Sequence, residues 1–154
     1  MKTIFGLSLL LLILISASAL NSSAPVSSAE AETMHSLQGT WELESFYNYE
    51  GQNVSDTVPV EKGYRQVKMY YNGRVMWSRI DPRAPIGRFG YGTYKITSSE
   101  LIETIEFGDA EFMKALDTMR IFRFNLELKD NTYSQISIDE NGIPFFSENY
   151  KKID

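Results

Sequence analysis

The sequence predicts an all-β fold: an up-and-down antiparallel β-barrel of about eight strands, with one short helix. Three observations predict it. Nearly every segment after Leu37 alternates apolar and polar residues with period two. Turn-forming residues interrupt that alternation at short intervals. Only one stretch carries a convincing helical stripe. A meander of strands joined by short turns must hide its edges, and closure into a ring removes them. A sandwich would need longer crossovers than this chain offers.

The chain opens MKTIFGLSLLLLILISASA. Lys2 is a positive start, Leu7 to Ile15 an apolar run, and Ala17-Ser18-Ala19 a small-x-small cleavage signal. Residues 1–19 therefore read as a secretory signal peptide, too short in its apolar run to span a bilayer comfortably. Residues 20–36 are rich in Ser, Ala and Glu and read as a flexible linker. The folded domain is expected over 37–154, and the protein is expected to be exported, to a periplasm or the outside medium.

The first strand is QGTWELESFYNYEG, with Trp41, Leu43, Ser45, Tyr47 and Tyr49 on one face. RQVKMYYNGRVMWSRI is a hairpin, because Asn72-Gly73 suits a two-residue type I′ turn. That register puts Val67, Met69, Met76, Ser78 and Ile80 on one face and Lys68, Tyr70, Val75, Trp77 and Arg79 on the other. Neither face is cleanly polar, so either can point inward. DPRAPIGRFG, residues 81–90, reads as a loop, since two prolines and two glycines interrupt it. GYGTYKITSSELIETIEFGD is a second hairpin turning at Ser98-Ser99. Its apolar face collects Tyr94, Ile96, Leu101, Ile105 and Phe107, and also Glu103. DAEFMKALD, residues 109–117, is the helix, capped by Asp109. A third hairpin turns around Lys129 to Thr132. It sets Tyr133, Gln135 and Ser137 on the face of Phe122, Phe124, Leu126 and Leu128. PFFSENYKKI is the last strand.

Charge and chemistry bound the function. The formal charge is −5, and loss of Lys2 with the leader makes it −6. An acidic domain without a basic run is a poor nucleic-acid binder, and no stable membrane insertion is expected after signal cleavage. There is no cysteine and one histidine, His35, which lies in the linker. A transition-metal site and a Ser-His-Asp triad are therefore not expected. Glu103 and Glu106 point to opposite faces and cannot form a glycosidase pair; Glu42 and Glu44 share a polar, solvated face. Gly90-x-Gly92 opens no helix and is no phosphate motif, and no acidic segment has calcium-loop spacing. Asn21 and Asn53 each begin an N-glycosylation pattern. No cofactor motif is present, and the chain is not expected to be an enzyme.

The carboxylate of Glu103 is the most informative side chain. A buried carboxylate needs a hydrogen bond or a cation, and Arg79, Arg123 and Lys152 are the candidates for the latter. It is either a polar anchor in an apolar pocket or part of a structural network that fixes strand register. Gly90 and Gly92 leave space for a pocket or mark a bend. Tyr133 and Gln135 offer hydrogen bonds to a ligand, or across the barrel to Glu148. Met69, Met76, Met113 and Met119 offer either adaptable pocket walls or ordinary core.

LQGTWELESF and ENYKKI together resemble the lipocalins, exported β-barrels with a Gly-x-Trp on the first strand. In that family the Trp closes one barrel end and packs against a basic residue of the last strand. Gly39 and Trp41 match, and Lys152 stands in place of the usual Arg. The ordered set Lys68 to Tyr70, Met76 to Arg79, Gly90 to Tyr94 and Glu103 is similar to lipocalin-like exported bacterial proteins of an uncharacterised family. The resemblance implies a barrel that binds a small apolar or amphipathic molecule. The expected ligand-binding residues are Tyr94, Glu103, Ile105, Met76, Phe122, Phe124 and Gln135, and the barrel-closing set is Gly39, Trp41 and Lys152. The alternative is a filled barrel that works through an outer surface of Trp77, Tyr70 and the Pro82 to Phe89 loop, with Arg83, Arg88 and Phe89 as contacts.

Overall fold

The computed structural model describes residues 37–84 and 86–154. The expected signal peptide, the linker, His35 and the Asn21 pattern lie outside the described residues. Nine strands and one helix follow in order: β1 Gly39–Glu50, β2 Asn53–Pro59, β3 Arg65–Tyr71, β4 Arg74–Ile80, β5 Arg88–Ile96, β6 Glu100–Gly108, α1 Ala110–Leu116, β7 Ile121–Lys129, β8 Thr132–Ile138 and β9 Pro144–Lys152. All pairings are antiparallel. β1 bonds to β3 through its first residues and to β9 along most of its length. That closes β1 and β3–β9 into a ring of eight strands. β2 is the ninth. It pairs only with the second half of β1, outside the ring, and every one of its residues is exposed. Its polar sequence, NVSDTVP, has no apolar alternation, and so the period-two reading does not find it.

Local chemistry explains the turns. Asn72 and Gly73 both adopt positive φ, 48° and 74°, and the β3–β4 register is Tyr71 with Arg74, Met69 with Met76 and Val67 with Ser78. This is the expected type I′ hairpin. The Asp109 carboxylate accepts from the backbone N–H of Glu111 and Phe112 and caps α1.

Bulges interrupt period two in β1 and in β6. An extra residue in β1, between Leu43 and Ser45, reverses the faces of the rest of that strand. Phe46 therefore packs on the core, while Ser45, Tyr47 and Tyr49 leave the Trp41 face. A second bulge lets Gly92 pair with Ile105 directly after Tyr91 pairs with Phe107. Phe107, expected inside, is thus on the outer surface, 49% exposed and packed on Tyr91. The loop expected at 81–90 is also shorter, because Arg88, Phe89 and Gly90 already pair with β4.

The core fills one end of the ring. Trp41, Tyr70, Tyr94, Tyr133 and Tyr150 are fully buried there, with Leu37, Val75, Ile96, Leu101 and Leu126 around them. Trp41 meets Tyr133 edge-on at 5.0 Å, and Tyr133 stacks on Tyr150 at 4.7 Å. Lys152 Nζ sits 5.6 Å from the Trp41 ring. Gly39 makes that possible: a Cβ there would come within 2.5 Å of Lys152 Cε. The Trp41 indole donates to the Leu37 carbonyl at 2.9 Å. The aromatic end is thereby plugged.

Candidate functional site

β3 and β4 decide the interior. Their inward residues are Gln66, Lys68, Tyr70, Val75, Trp77 and Arg79, and their methionines face out. Met76 is 40% exposed on the outer wall and is not among the residues that line the cavity described below, which corrects its place in the expected pocket. Met69 is likewise outside; Met113 of α1 packs against the core. Tyr70 and Trp77, expected on an outer contact surface in the alternative reading, point inward. The polar side of the hairpin turns in because its polar groups find partners inside the ring.

Lys68 is the central partner. It is 3% exposed, and its ammonium donates to Glu103 Oε1 and Oε2 at 2.9 and 3.1 Å and to Gln135 Oε1 at 2.7 Å. Tyr70 donates to the same Glu103 Oε1 at 2.6 Å, and Tyr70 and Tyr133 hydroxyls are 3.2 Å apart. The cation beside Glu103 is therefore Lys68, not Arg79, Arg123 or Lys152. Arg123 is on the exposed face of β7, and Lys152 is committed to Trp41. Gln135 also donates to Glu148 Oε2 at 2.9 Å, the cross-barrel bond open from the sequence. Gln66 and Tyr150 donate to that same oxygen at 3.1 and 2.6 Å. Burial, first, and then the carboxylates hold the Tyr70, Tyr133 and Tyr150 hydroxyls well above their usual value, with Glu103 acting on Tyr70 and Tyr133 and Glu148 on Tyr150. These phenols stay protonated donors. The network is a satisfied polar floor across the middle of the barrel.

Above that floor lies a cavity of about 220 Å³. Its apolar wall is Trp77, Ile105, Phe112, Phe122 and Phe124; its polar lining is Gln66, Lys68, Glu103, Gln135 and Glu148, with Arg79 and Arg88. Trp77 and Phe112 meet edge-on at 5.1 Å, so α1 contributes an aromatic to the wall. Gly90 answers its own question: a Cβ there would sit 2.5 Å from Trp77 Nε1, so its bareness seats the indole. Gly92 serves the bend, since a Cβ would overlap the Thr104 carbonyl.

Of the expected binding residues, Glu103, Ile105, Phe122, Phe124 and Gln135 come together on this cavity. Tyr94 does not: it lies in the filled end, 4.9 Å from the Tyr70 ring. The sequence reading missed the placement of Lys68, Gln66, Arg79, Arg88 and Phe112 on the same wall. Their signal was the interleaving of Lys68 and Arg79 with Tyr70, Val75 and Trp77 on one face of the hairpin. No group of metal-ligating side chains occurs among the described residues, and no helix among them is long and apolar enough to cross a membrane.

No family model matches the chain, and no curated protein does. Two solved structures are similar to it. One is a lipocalin-like protein from Bacteroides uniformis, with TM-score 0.52 and 13% identity over 77% of this chain and 99% of that one. The other is an uncharacterized protein from Bacteroides eggerthii, with TM-score 0.50 and 14% identity over 75% of this chain and 98% of that one. At such identities the likeness speaks for the fold alone: the chain folds as a lipocalin-like β-barrel.

Proposed function

We propose that this protein is an exported, non-enzymatic binding protein whose barrel holds a small apolar or amphipathic molecule. One observation carries the reading. The barrel is packed solid at the Trp41 end yet keeps a cavity of about 220 Å³ at the other, with aromatic walls over hydrogen-bonding groups. Apolar walls with a few placed polar groups are what small-molecule sites present. The volume lies below the ~300–1,000 Å³ common for drug-sized ligands, so the occupant is small. Burial of its apolar part supplies affinity, at roughly 25 cal/mol per Å² before the losses of association. Export is supported by the leader pattern of Lys2, the Leu7–Ile15 run and Ala17-Ser18-Ala19.

Titration calorimetry with hexanol tests the site. Saturable binding to the native protein is expected, weakened about tenfold or more by Ile105→Phe, whose added ring occupies part of the cavity. Circular dichroism of the variant checks that the barrel persists. Equal affinity in a folded Ile105→Phe protein would place the hexanol elsewhere and remove the reading.

A further inference from the structure

The cavity wall carries three cations, and their partners differ. Lys68 spends all three of its donors on Glu103 and Gln135. Arg88 is paired with Asp109, Nε to Oδ2 at 2.8 Å. Arg79 makes no ion pair among the described residues, and its Nε is a buried donor without a hydrogen-bond acceptor. Its hydroxyl neighbour is Tyr64. The surrounding carboxylates are engaged with other donors. Glu103 is held by Lys68 and Tyr70, and Asp81 by Arg83 at 3.0 Å. Glu148 takes three neutral donors on one oxygen.

The position of Arg79 sharpens the imbalance. It stands directly across the β4–β5 ladder from Arg88. Like charges opposite each other on one sheet face destabilise it unless something sits between or beside them. A buried donor left without an acceptor is also costly. Asp109 already answers the charge of Arg88, and an acceptor placed beside Arg79 in the cavity would answer the other. The Trp77, Phe112 and Phe122 rings line the same cavity as the two arginines. A group that satisfies Arg79 would thus hang its apolar part against those rings.

We infer that the cavity's ligand is an organic monocarboxylate with a short apolar tail, whose carboxylate is held by Arg79 at the rim. The inference rests on the binding reading above and specifies its ligand class. A planar carboxylate matches the guanidinium fork. A single negative charge suits the site better than a dianionic phosphate, because Glu103 and Glu148 already face the same cavity. The floor then has no part in holding the head group. Its Lys68 and Glu103 neutralise each other, and the tail rather than the head lies over them.

Calorimetric titrations of the purified full protein with hexanoate, hexanol and hexylamine test this. Hexanoate is expected to bind about tenfold or more tightly than hexanol, the range of one charge-assisted hydrogen-bonded contact. Arg79→Gln should abolish the preference for hexanoate over hexanol, while circular dichroism reports that the variant keeps its barrel. Arg79→Lys should keep part of the preference. Equal binding of hexanoate and hexanol to the native protein would overturn the inference and leave the binding reading standing. A preference for hexylamine would transfer the head-group role to Glu148 and overturn it as well. Binding of none of the three would remove both readings.

Discussion

Glu103 shows how much one residue can reveal and how little it says about its partner. Its placement among Tyr94, Leu101 and Ile105 identifies an interior position from alternation alone. The partner was illegible for a physical reason. The β3–β4 face that turns inward carries Lys68, Arg79 and Gln66 while the other carries Val67, Met69, Met76 and Ile80, and hydropathy points the wrong way there. Pairing overrides it: Lys68 and Glu103 are each 3% exposed and bond each other, with Gln135 and Tyr70 completing their hydrogen bonds. Breaking such a pair leaves an uncompensated buried charge, which costs about 3–5 kcal/mol. Lys68→Met should therefore lower the free energy of urea unfolding by that order. A Lys68→Met, Glu103→Leu double variant should regain much of it, since apolar replacement of a whole buried pair is often neutral or better. A double variant as unstable as the single one would show that the floor is held by packing around Lys68 rather than by charge. Arg79 was hidden by the same ambiguity of face, and so was its buried, unpaired nitrogen.

At the scale of elements, the hairpins were the legible part. Asn72-Gly73 specifies both turn and register, and Asp109 specifies the start of α1. The bulges were not legible, because an extra residue in β1 or β6 leaves no mark on composition. It simply reverses the face of all that follows, and Phe46 and Phe107 change sides accordingly. Gly92 is the nearest thing to a marker, since its missing Cβ admits the Thr104 carbonyl at the β6 bulge. Gly90 is bare for a different reason, the Trp77 side chain. The two glycines should thus differ under substitution. Gly92→Ala pushes on backbone, which cannot give, and Gly90→Ala pushes on a side chain that can swing into the cavity. Thermal unfolding should show the larger loss for Gly92→Ala. Trp77 fluorescence should shift mainly in Gly90→Ala. An equal loss with an unmoved indole in both would contradict the distinction.

The whole molecule divides along the barrel axis. One end is an aromatic plug of Trp41, Tyr70, Tyr94, Tyr133 and Tyr150, locked by Lys152 and opened to it by Gly39. The middle is a polar floor without a free valence on Lys68. The other end keeps a cavity rimmed by Arg79 and Arg88 and roofed on one side by Phe112 of α1. Closure and the overall class were readable because a meander of alternating strands has few other ways to hide its edges. The division into a filled and an open half was not, because it depends on which large side chains point inward at each level. The plug and the floor hold the buried aromatic and polar contacts, and the space above them is where we propose that a ligand binds.

The most direct test is mass. The protein purified after passage through a secretory route, without added ligand, is measured by native and then by denaturing mass spectrometry. The account predicts an additional small mass in stoichiometric amount, released on denaturation and detected in negative-ion mode as a carboxylate. A chain that carries only its own mass in the native measurement, and that also fails to acquire one when hexanoate and hexanol are supplied, would contradict it.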